Sequence, residues 1–314
     1  MKSIPLTSRF AAFLLHFSIL GLSICTAVQV DAAEPKLEHA LTPSNALAKA
    51  QSKQILDAQF DAIQRQAKQQ AGAHLWFAGF GLDSGSNAFR GDVDLAESKI
   101  RSVNPQLLAY KLDNQAQTVE LDRPFAHLGN FQKTIKHISQ QVGEKDVVVI
   151  FMSSHGNVGY LANQIGQQRY GNITAGHIKT VLQDLKDTPT VLIISACYSG
   201  SLISTLEAPN RIILTAASRS KTSWGCAPLD QNTFFIDELF GKSFDASLTL
   251  KQVFEKTEKQ IIQREEALKL SHSEPQIFVG DRMRDFANET LNKSLLLTST
   301  VTNPDAKAAP KGTQ

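Results

Sequence analysis

Long runs of one charge are missing from this 314-residue sequence, and its formal net charge is only +2. No basic stripe is available for nucleic acid, and nothing in the charge pattern favours a membrane surface. There is no internal repeat, which argues against a solenoid or propeller. No Gly-rich loop stands between a strand and a helix, so no phosphate cradle is present. No spacing of Cys, His, Asp and Glu matches a metal-ligand cluster. No cofactor and no metal are therefore expected. Cysteine is scarce, with three in the whole chain.

What remains is ordinary globular material, 42% apolar and 20% charged, long enough for one large or two small domains. The first segment stands apart. Lys2 and Arg9 are basic, Phe10 to Val28 is mostly apolar, and Val30-Asp31-Ala32 offers small residues at a cleavage site. Residues 1–32 read as a signal peptide, with the mature chain starting near Ala33 and exported to a periplasmic or extracellular compartment. An uncleaved anchor and a lipoprotein signal acylated at Cys25 are the rival readings. Cleavage leaves Cys197 and Cys226, for which a disulfide is the plain reading in an exported protein.

Residues 33–72 form a lead-in and an amphipathic helix, Ser44 to Gln70, with Leu56, Phe60, Ile63 and Ala67 at helical spacing. Its expected role is packing across the domain or holding an envelope protein partner. From Leu75 to Val279 apolar strands alternate with helical patterns. The strands are Leu75–Phe80, Gln106–Leu112, Val147–Met152, Val191–Ile194, Arg211–Ala216 and Pro275–Val279. That alternation predicts an α/β fold: a mostly parallel central sheet with helices on both faces. The domain is expected over 73–285, and 286–314 is expected to be a disordered tail, because periodicity fades there.

Two of these strands end in reactive residues. Val147 to Met152 runs into Ser153-Ser154-His155-Gly156, and Val191 to Ile194 runs into Ser195-Ala196-Cys197. Open α/β folds place their ligands at the carboxyl ends of strands. If the two strands are parallel neighbours, the thiol and imidazole meet at one rim, the minimum apparatus for covalent catalysis at sulfur. The backbone N–H groups of Gly156 and Cys197 would then form an oxyanion hole.

These residues resemble the legumain-like cysteine peptidases, peptidase family C13, in a bacterial-type form. The His-Gly and Ala-Cys strand ends, Ile213 to Ser218, Ser223-Trp224-Gly225-Cys226, Thr233 to Asp237, Asn87 to Arg90 and the closing PQIFVG follow the family in order, over Leu75 to Gly280. The resemblance implies a caspase-like three-layer sandwich. It implies a cysteine-type endopeptidase acting through a thioester on peptide or protein substrates, with His155 and Cys197 as its dyad. It also implies that Ser223 and Trp224 bind substrate, and that Arg90, Ser195 and Asp237 line the primary pocket, favouring Asn or Asp. Plant and animal members carry an acid where this chain has Ser195, and their His-assisting asparagine lies one position from Asn87. Cys226 stays open between a disulfide with Cys197 and a free thiol, which the resemblance favours. A catalytically silent envelope scaffold and a transamidase are the alternative functions.

Overall fold

A computed structural model describes residues 46–114, 121–166 and 168–297. The signal segment at 1–32, the lead-in up to residue 45 and the end of the expected tail lie outside the described residues. Six strands form the central sheet: β1 (Leu75–Gly81), β2 (Leu108–Asp113), β3 (Val147–Ser153), β4 (Thr190–Ser195), β5 (Arg211–Thr215) and β6 (Gln276–Val279). Their order is β6-β5-β4-β3-β1-β2. All pairings are parallel except β5 with β6, which is antiparallel.

Strand residues point alternately to the two faces, so each strand feeds two cores. Trp76, Phe80, Ile150 and Leu192 join one cluster, with α1 (Ala46–Gln69), α3 (Leu128–Ser139) and α4 (Ala175–Val181) packed over it. Leu75, Phe77, Val149 and Ile193 join the other, beneath α2 (Ala88–Val103) and α5 (Leu250–Ala267). The result is the expected three-layer arrangement. The central strands β1, β3, β4 and β5 are buried along their whole length. Uninterrupted apolar runs are therefore the correct signature for them.

The amphipathic helix α1 lays Ala48, Leu56 and Ile63 on the domain's own core. Its Gln59 amide also donates to the Lys111 carbonyl on the outer strand β2, at 3.2 Å. Helix α5 is fixed at its start by a capping box between Thr249 and Gln252. Part of the stretch expected as a tail from 286 is helical. Short helices at Arg284–Asn288 and Leu291–Leu295 bury Phe286, Leu291 and Leu295 in the second core, and apolar contacts outweigh the weak local pattern. The polar stretch after His155 also forms small hairpins, pairing 156–157 with 160–161 and 164–165 with 168–169. Two-residue strands are too short to show alternation in sequence.

Candidate active site

The strand register sets the rim. Gly81 of β1 lies level with Ser153 of β3, and Ser153 lies level with Ser195 of β4. Two residues beyond each come Asp83, His155 and Cys197, carried by three adjacent strands. The pairing continues past the strand ends, where the Ser154 N–H donates to the Ser195 carbonyl at 3.1 Å.

Local structure then fixes each group. The carbonyl of His155 accepts the Ala162 N–H at 2.9 Å, and the Ser154 hydroxyl donates to the Ala162 carbonyl at 2.8 Å, so the hairpin clamps the imidazole's backbone. The exposed ring of His155 meets Phe89 of α2 edge to face, with centroids 4.9 Å apart. Gly156 sits against the other strand end. A Cβ at this glycine would stand 2.5 Å from the Cys197 carbonyl oxygen, so only glycine allows the approach. After Cys197 the chain turns sharply through Tyr198, which holds a left-handed conformation at φ 58°. The left-handed turn is an uncommon conformation for a non-glycine residue.

Cys197 and Cys226 are both free thiols. The half-buried Cys197 sulfur is surrounded by Ser223. As a thiol it donates to the Ser223 carbonyl at 3.5 Å. As a thiolate it accepts from the Ser223 N–H at 3.3 Å and is reached by the Ser223 hydroxyl at 3.7 Å. Three polar atoms of one residue thus face the sulfur. Cys226 is different: burial first, then the neighbouring Cys197 and Asp230, push its thiol up to about 11. A group held so far toward the neutral thiol is a poor nucleophile at neutral pH.

A model of the peptidase C13 family matches residues 109–285, more than half of the chain. The chain belongs to the peptidase C13 family. Among solved structures this C13 protein is similar to the crystal structure of caspase-1 from Spodoptera frugiperda, at 12% identity and a TM-score of 0.43, covering 66% of this chain and 86% of that one. No curated protein matches it.

The other residues expected in the C13 site divide into two groups. Ser223 and Trp224 lie beside Cys197, the Trp224 indole donating to the Ser271 carbonyl at 2.9 Å. Ser195 is fully buried, its hydroxyl 2.8 Å from that of Thr233. Arg90 and Asp237 are each ion-paired. Arg90 is drawn to Asp122 and, at 3.5 Å, to Asp113 at the end of β2. Asp237 pairs with Arg264 at 2.8 Å and Lys242 at 3.1 Å. Both side chains are partly exposed within these ion pairs. Asn87 is exposed and makes no side-chain cap on α2; the Ser86 hydroxyl does that instead, accepting the Ala88 N–H at 3.1 Å.

Two acids escaped the sequence reading. Asp83 is buried and accepts the Gly85 N–H at 2.7 Å. A Cβ at Gly85 would lie 2.9 Å from the Asp83 carboxylate and 3.9 Å from His155 Nε2, so carboxylate and imidazole crowd the same glycine. A cleft of about 570 Å3 opens here, lined among others by Asp83, His155, Gly156, Tyr160 and Arg169. The second acid is Asp92, fully buried on α2, whose carboxyl group burial raises to about 6 against the pull of its hydrogen-bond donors. Among the described residues no group of His, Cys, Asp and Glu is arranged to hold a metal ion. None of their helices is long and apolar enough to cross a membrane.

Proposed function

We propose that the protein is a cysteine-type endopeptidase in which His155 and Cys197 form the catalytic dyad. The carrying observation is the parallel register that delivers both residues two positions beyond the level pair Ser153 and Ser195. Family membership supports the same reading. Cys197 attacks a peptide carbonyl, forming a C–S bond. The oxyanion is held by the N–H groups of Gly156 and Cys197. His155 takes the thiol proton and gives it to the departing amine as the C–N bond breaks. Water then attacks the thioester as His155 takes one of its protons, the C–S bond breaks, and His155 passes that proton to sulfur. Ser223 and Trp224 flank the extended substrate, which pairs with their backbone as an added strand. In the primary pocket a preference for Asn or Asp would draw on Arg90 and Asp237, each held in place by an ion pair.

The test is covalent labelling with a set of peptidyl chloromethyl ketones, read by mass spectrometry. Labelling of Cys197 that depends on the peptide, vanishes in Cys197→Ala, persists in Cys226→Ala and drops about a hundredfold or more in His155→Ala is the expected result. Labelling indifferent to the peptide, or directed to Cys226, would overturn the assignment and favour a binding scaffold.

A further inference from the structure

The fully buried Asp92 carboxylate ties the ends of β3 and β4 to the segment around Thr233. Its Oδ2 accepts the Ser153 hydroxyl at 2.7 Å, at the end of β3, two residues before His155. The same oxygen accepts the Thr233 hydroxyl at 2.8 Å, and Oδ1 accepts the Thr233 N–H at 2.9 Å. Thr233 in turn meets the Ser195 hydroxyl at 2.8 Å, at the end of β4, two residues before Cys197. Gly91 makes this possible. A Cβ at that position would overlap the Gln231 carbonyl, so only a glycine next to Asp92 lets the 226–233 segment close on α2.

From Thr233 the connection runs on to the sulfur. Phe234, its neighbour, donates its N–H to the Trp224 carbonyl at 2.9 Å. Trp224 follows Ser223, whose N–H points at Cys197 Sγ at 3.3 Å. One carboxylate thus anchors both strand ends and, through two short steps, the donor that faces the nucleophile.

From this continuous path we infer that Asp92 is a positioning residue, holding the 223–234 segment so that the Ser223 N–H stays on the Cys197 sulfur. It touches no substrate, being closed off from solvent. The inference rests on Cys197 being the nucleophile proposed above, yet its consequence is readable without any peptide. Loss of the N–H donor removes stabilisation of the thiolate.

The experiment is the pH–rate profile of Cys197 alkylation by iodoacetamide in the full-length chain, in a Cys226→Ala background. His155, at the end of the neighbouring strand β3, is common to every variant, and Cys226, the thiol that feels the Cys197 charge, is removed in every one. In Asp92→Ala the profile should move to higher pH, with a rate near neutrality about tenfold lower. Thr233→Val, which keeps the backbone donor and loses the hydroxyl, should fall between. Asp92→Asn retains an acceptor for the Thr233 N–H and should return the rate to within about threefold of the parent. Should Asp92→Ala fail to fold, Thr233→Val and Asp92→Asn carry the comparison. Unshifted profiles would overturn the inference, as would a uniformly faster reaction, the mark of a merely loosened fold. Peptide labelling of the same variants separates the two proposals: no labelling of the parent refutes the peptidase, while a shifted alkylation profile still upholds the link from Asp92 to Cys197.

Discussion

Replacing Asp92 by asparagine should change how stability depends on pH, and the structure sets the size of the change. The carboxyl group is fully buried and its pKa is raised from 3.8 to about 6. Burial is the largest cause, opposed by hydrogen bonds from Ser153, Thr233 and Asn232. Below pH about 4 both folded and unfolded chains hold the proton. Between about 4 and 6 the unfolded chain releases it while the folded chain keeps it. The folded state therefore binds more protons in that window, and stability falls as pH rises. At about 1.36 kcal/mol per pKa unit, the loss is roughly 3 kcal/mol, complete once pH passes the folded value. Asp92→Asn has no proton to lose. Urea melts of both proteins from pH 4 to pH 8 should give a difference that shrinks by roughly 2.5 kcal/mol over this range, most of it below pH 6.5. A flat difference would show that the donors around Asp92 cancel its burial. A difference that grows with pH would reverse the reasoning altogether.

Gly156→Ala should slow peptide-dependent labelling of Cys197 at least tenfold, because its Cβ would stand 2.5 Å from the Cys197 carbonyl oxygen and 3.0 Å from Ala196 Cβ. A rate like that of the parent would mean the two strand ends part without consequence. Leu291→Ala should cost about 2–5 kcal/mol in urea unfolding, since Leu291 is buried in the second core. A cost below about half a kcal/mol would show that this segment does not hold to the second core.

Much of the architecture was legible because buried parallel strands write themselves as apolar runs. Val147 to Met152 and Val191 to Ile194 are such runs, and the residues that follow them reach the rim as expected. Arg90 and Asp237 show the limit. A family pattern fixes a place along the chain, but the side chain turns toward the nearest opposite charge, here Asp122 and Arg264. Asp92 was missed because an acid in a helix usually marks a solvated face. A signal did exist: it falls on the buried stripe of α2 with Phe89, Val93, Ala96 and Ile100. An acid on an apolar stripe must find its donors inside the fold. Those donors come from residues 61 and 141 positions away, a separation no local reading spans.

The level pairing of Ser153 with Ser195 also separates what must be conserved in shape from what is free to vary. Everything between the first hairpin, closed by Ala162 on His155, and the start of β4 at Thr190 is a detour whose two ends are nailed to neighbouring strands. Its length does not enter the spacing of imidazole and thiol. The turn of the second hairpin, between 165 and 168, is accordingly a socket: a different turn grafted there would redraw the wall of the cleft beside His155, while α4 stays on the first core and His155 and Cys197 stay where the sheet puts them.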